Sequence, residues 1–145
     1  MDRIRQKLQQ IWGYDEFRSP QGEIIQCILE QRDALIVMPT GGGKSLCFQL
    51  PALLSSGVTL VVSPLVALME NQVQELVQKR LPAGLLHSEL PAAHRRATLQ
   101  ALENHQLRLL YLSPETLLTP PVWTRLCHPE LQIDRIILDE AHCLV

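Results

Sequence analysis

The sequence predicts an α/β domain built on a parallel β-sheet flanked by helices. Three observations predict it. Predominantly apolar runs recur at 34–38, 58–62, 107–112 and 133–138, and such strands suit a sheet covered on both faces. Between the runs lie stretches with apolar residues at helical spacing, so strands and helices alternate as parallel pairing requires. The first run also ends in a glycine-rich turn that opens a helix, the local form of a phosphate-binding loop.

Each element has its own signal. Ile4, Leu8, Ile11 and Trp12 recur at helical spacing, which predicts a short amphipathic helix over 2–12 stopped near Gly13. Ser19-Pro20 reads as a helix start, with Ser as N-cap and Pro at the first helical position, and Ile24, Ile25, Ile28 and Leu29 continue that helix to about Gln31. The run 34–38 reads as a strand buried on both faces. A helix follows from Gly43, bent or ended by Pro51. The alternation continues with a strand over 58–62, a helix over 64–79, a weak strand at 85–87, a helix over 91–103 and a strand over 107–112. Short helices at 114–118 and 122–126 precede a last strand at 133–138.

Composition narrows the function classes. The 145 residues allow one domain, and 46% hydrophobic residues with only 4% aromatic ones imply an aliphatic core. A formal net charge of −2 gives no overall field to attract a polyanion, so any nucleic-acid contact must be local. Cys27, Cys47, Cys127 and Cys143 form no C-x-x-C, and neither Cys127-His128 nor His142-Cys143 has ligand spacing. These are expected to be reduced, mostly buried thiols. No apolar run approaches the length of a membrane span, so a soluble, intracellular protein is expected. The basic cluster His94, Arg95 and Arg96 reads as a solvated helix face, and Trp12 and Trp123 as packing residues.

Two motifs carry chemistry. In Met38-Pro39-Thr40-Gly41-Gly42-Gly43-Lys44-Ser45 the glycines free the backbone to turn its N–H groups inward onto phosphate oxygens, at the positive end of the following helix. Lys44 would reach the β- and γ-phosphates and the Ser45 hydroxyl would ligate Mg²⁺. Met38 stands where the general pattern has its first glycine. At the other motif, Asp139-Glu140 ends a buried strand, the sheet edge where ligands bind in open α/β folds. Asp139 would hold Mg²⁺ and Glu140 would polarise the attacking water.

Asp139-Glu140-Ala141-His142 resembles the box of DEAH-type superfamily 2 helicases, and with Cys143 it is similar to that of the RecQ family. Tyr14, Phe17, Arg18 and Gln21 match that family's nucleotide-recognition motif. The residues after Ser45, Leu46-Cys47-Phe48-Gln49-Leu50-Pro51, resemble the family's continuation of the phosphate loop, whose superfamily generally lacks the first glycine. The segments 62–69 and 110–115, with Ser63-Pro64 and Ser113-Pro114, resemble two motifs that line the single-strand track. Glu70-Asn71 and Thr116 depart from the usual residues there.

The resemblance implies a RecA-like P-loop fold, C-terminally incomplete, in which 1–145 is the N-terminal ATP-binding motor domain cut just after the DEAH box. It implies ATP and Mg²⁺ as cofactors, with Tyr14 and Arg18 on the base, Gln21 on the adenine edge and His142 coupling nucleotide state to motor closure. It further implies 3′-to-5′ movement on DNA, with single strands and duplex junctions as partners, together with the second RecA-like domain and no membrane. The place would be the cytoplasm and nucleoid of a bacterium, or the nucleus of a eukaryote. The chain alone is expected to bind nucleotide weakly and to unwind nothing. Two alternatives stand beside this reading: a DEAD- or DEAH-type RNA helicase, and a truncated nucleotide-binding module without turnover.

Overall fold

The computed structural model describes residues 2–38 and 43–140. The chain divides into two compact units, Met1–Leu54 and Ser55–Val145.

The first unit contains α1 (Asp2–Trp12), α2 (Gln21–Leu29) and α3 (Lys44–Leu53). α1 stops where its pattern says it should. Gly13 adopts φ +77°, and its N–H donates to Gln9 O at 3.0 Å, a left-handed cap open to glycine at no cost. Ile4 and Leu8 of α1, Ile24 and Ile25 of α2, and Leu46, Cys47 and Leu50 of α3 form one buried cluster. Pro51 lies inside α3 without ending it. The start of α2 differs from expectation, because Pro20 takes the cap position and makes no side-chain cap bond. Gln21 organises that entry turn instead: its Oε1 accepts the Arg18 N–H at 2.9 Å and its own N–H donates to Arg18 O at 2.7 Å.

The strand expected at 34–38 is not formed. The segment has no regular secondary structure, although its side chains alternate as in a strand. Ile36 and Met38 pack on the helical cluster, while Leu35 and Val37 are 88% and 89% exposed. An apolar run becomes a sheet strand only when a neighbouring backbone takes up its N–H and C=O groups. Here only one face is covered.

The second unit is the expected parallel sheet with flanking helices. Its strands are β1 (Val58–Val62), β2 (Ala83–Leu86), β3 (Leu109–Leu112) and β4 (Ile133–Leu138), in the spatial order β2-β3-β1-β4. All pairings are parallel, with Leu60 opposite Leu110 on one side and Ile136 on the other. Parallel neighbours need crossovers, supplied by α4 (Val66–Gln78), α5 (Ala92–Glu103) and the pair α6 (Pro114–Leu117) and α7 (Pro120–Leu126). β2 ends at Leu86, one residue earlier than expected, so His87 lies just beyond the strand. Val58, Leu60, Val62, Leu110 and Leu112 pack with Leu102 of α5 and Val122 and Leu126 of α7. α4 packs against β2 and β3 and buries Met69, Val73 and Leu76. β4 sits at the sheet's end, and its Ile136 and Leu138 are more than half exposed. Trp123, expected to pack, is also half exposed.

Candidate functional site

In the first unit the site is built around Gln21 and Gly43. Gly43 is the N-cap of α3 with φ +76°, a left-handed turn that points the chain from the loop into the helix. Its carbonyl accepts the Gln21 Nε2–H at 3.2 Å and lies 3.6 Å from the Cys47 thiol, which is placed to donate to it. The conformation favours glycine there, and a Cβ would displace the Gln21 carboxamide from its bond to the turn. Gln21 is only 6% exposed. Its carboxamide carries two donors and two acceptor lone pairs, and the Arg18 and Gly43 bonds use one of each. One N–H and one lone pair remain, the complement of the donor and acceptor on the outer edge of adenine.

Tyr14 and Arg18, expected on the base, are exposed on the turn before α2, while Phe17 packs into the helical cluster. Lys44 and Ser45 are the first two residues of α3, half-buried, at the positive end of the helix. Burial pushes the Cys47 thiol one turn further on up to about 11, so it packs and does not react. Met38 lies on the cluster side of its segment. Pro39, Thr40, Gly41 and Gly42 fall outside the described residues, as does His142.

In the second unit the functional residues share one edge of the sheet. Each strand is followed by a polar residue that is almost wholly buried: His87 after β2, Ser113 after β3, Ser63 after β1 and Asp139 after β4. Backbone bonds carry the sheet pairing through these positions. Asp139 N–H donates to Val62 O at 2.9 Å, Ser63 N–H to Leu112 O at 3.2 Å, and Ser113 N–H to Leu86 O at 3.3 Å. The four residues thus form a polar row across the carboxyl ends of the strands.

Ser63 and Ser113, read from sequence as nucleic-acid contacts, are buried and use their hydroxyls locally. Ser63 Oγ accepts the Leu65 N–H at 3.2 Å. Ser113 Oγ donates to Thr116 Oγ1 at 2.7 Å and accepts the Thr116 N–H at 3.4 Å, capping α6. Thr116, unusual for the resembled family, is therefore half of a capping pair. These serines shape the turns, and the exposed Leu65, Leu68 and Glu115 beside them form the outer surface. Glu140 follows Asp139 with φ +54°, and its N–H donates to Asp139 Oδ1 at 3.0 Å. That left-handed turn separates the directions of the two adjacent carboxylates.

Among the described residues no group of three or more His, Cys, Asp or Glu side chains forms a metal cage. A hard cation such as Mg²⁺, which keeps waters and shares substrate oxygens, needs only one or two protein ligands, and Ser45 and Asp139 are oxygen donors of that kind. No helix among the described residues is long and apolar enough to cross a membrane. Two features escaped the sequence reading. The Gln21–Gly43 bond joins residues 22 apart and had no local signal. His87 did have one, since a polar residue follows each of the four strands.

Chains of known proteins match this one along nearly its whole length. It is 61% identical over 142 residues to the ATP-dependent DNA helicase RecQ of Synechocystis, covering 98% of this chain and 30% of that protein. It is 42% identical to the probable ATP-dependent DNA helicase RecS of Bacillus subtilis, covering 99% of this chain and 28% of that one. The chain thus spans less than a third of the length of these relatives. A hypothetical ATP-dependent RNA helicase from Sulfolobus tokodaii shares the fold with a TM-score of 0.73 at 20% identity, covering 99% of this chain and 42% of that one. The family model described as DEAD/DEAH box helicase matches residues 18–145. With Gln21, the helix-opening Gly43-Lys44-Ser45 and the acidic strand end all inside that match, this chain belongs to the DEAD/DEAH box helicase family.

Proposed function

We propose that this chain is the ATP-binding part of the first motor domain of an ATP-dependent DNA helicase of the RecQ type. The observation that supports it best is the bond from Gln21 to Gly43, which ties the residue that reads the base to the turn that carries the phosphate-binding lysine. Tyr14 and Arg18 flank the base, Gln21 pairs with its edge, and Lys44 neutralises the β- and γ-phosphates. Ser45 and Asp139 would each offer an oxygen to Mg²⁺, whose charge would offset that developing on the transferred phosphoryl group. Glu140 orients the attacking water, and His142 couples nucleotide state to closure. The turns after β1 and β3, beginning at Ser63-Pro64 and Ser113-Pro114, present their backbone and outer residues to a single DNA strand. Unwinding, 3′-to-5′ direction and junction recognition belong to the longer protein of which this is one wall.

Steady-state hydrolysis by the longer protein tests this reading. Single-stranded DNA should stimulate ATP hydrolysis more than RNA does. Gln21→Ala should lower the preference for ATP over GTP about tenfold, as loss of a polar contact to the base would. Gly43→Ala should lower kcat/KM for both nucleotides at least about tenfold, from backbone strain and the collision with Gln21. Stimulation by RNA alone would point to the RNA-helicase alternative. A parent enzyme indifferent to the base would refute the role given to Gln21.

A further inference from the structure

We infer that His87 is a positioning residue for the strand-edge turns, acting through Glu70 of α4; this rests on the reading above that those turns carry a single DNA strand. His87 occupies the β2 position in the polar row whose other members are Asp139, Ser63 and Ser113. It is 3% exposed, so it cannot itself touch a nucleic acid. Its ring spans two structures instead. Nδ1 accepts the Glu89 N–H at 3.2 Å, which organises the turn from β2 into α5 and leaves the ring proton on Nε2. Nε2 lies 3.1 Å from Glu70 Oε1, in the second turn of α4.

Nε2 is buried and makes no in-line hydrogen bond. Among the described residues the polar neighbour of that N–H is the carboxylate of Glu70, itself half exposed. A buried donor in this position is expensive to leave without a polar neighbour. The arrangement also accounts for Glu70, one of the two residues that depart from the resembled motif. The carboxylate there answers the histidine that follows β2. α4 begins two residues after the Ser63-Pro64 turn, so holding its second turn to the end of β2 fixes the path of that turn. His87 and Glu70 together make a brace between the exits of β1 and β2.

The test uses the longer protein, read as the concentration of single-stranded oligonucleotide giving half-maximal ATPase stimulation, alongside the KM for ATP without DNA. His87→Asn keeps a side-chain acceptor for the Glu89 N–H but cannot reach Glu70. Glu70→Ala alters a half-exposed side chain and spares the fold. Each should raise the half-maximal DNA concentration about threefold to tenfold and change the KM for ATP less than about twofold. The double variant should be no worse than either single one, because both remove the same contact. Glu70→Gln, which keeps an acceptor oxygen, should restore most of the loss. Additive effects, an equal rise in the KM for ATP or unchanged DNA dependence would each overturn the inference. A parent protein with no DNA stimulation would instead refute the underlying reading.

Discussion

The runs Val58–Val62 and 34–38 are both short, apolar and five residues long, yet they meet opposite fates. VTLVV has a strand on each side and a helical layer packed on it, and every residue is buried. ALIVM has no strand beside it among the described residues, and its side chains alternate between half-buried and bare. β4 stands between them, with one neighbour and partial exposure. The number of neighbouring backbones orders the three runs; composition does not. Hydrophobicity tells a chain that a segment can be buried, and pairing decides whether it is.

The largest expected effect that could break this comparison is chemical. Burial holds the Cys47 thiol in its neutral form up to about pH 11, whereas Cys127 is exposed. At pH 8 roughly one thousandth of Cys47 would be thiolate, and Cys127 should alkylate at least about a hundredfold faster. Raising the pH should speed Cys47 about tenfold per unit until it flattens near 11. Mass spectrometry of the labelled peptides measures both rates, and equal rates would mean that the helical side behind 34–38 is open.

The next comparison is thermodynamic. Leu60→Ala leaves a cavity between strand and helices and should cost about 2–5 kcal/mol in urea unfolding. Leu35→Ala removes a side chain already in water and should cost less than about 0.5 kcal/mol. Similar costs for the two would show that 34–38 is covered in solution. The smallest effect sharpens the picture at the sheet edge. Ser113→Ala should cost about 1 kcal/mol by uncapping α6 and unpairing Thr116. A neutral result would remove the reason given for the burial of that serine.

What the sequence made legible follows the same division. β1, β3, α4 and α5 were readable because local pattern and final surroundings agree there. The strand at 34–38 was not, since no residue in it records how many neighbours it will have. Ser19 looked like a cap by type, but Gln21 reaches back to the Arg18 N–H and sets the turn itself. The lysine, serine and paired acids were visible as motifs because their chemistry needs adjacent residues. Ser63 and Ser113, expected along a single-strand track, are buried and spend their hydroxyls on their own turns. Gln21 as a base reader came only through resemblance, and its hold on Gly43 needed the fold.

That hold means that neither position can be altered independently of the other. A side chain at position 43 would be strained by the left-handed backbone and would have to push the end of Gln21 aside. Shortening residue 21 would remove the collision but not the left-handed backbone of Gly43, and it would lose the bond to the turn. A change at either position is therefore felt at the other.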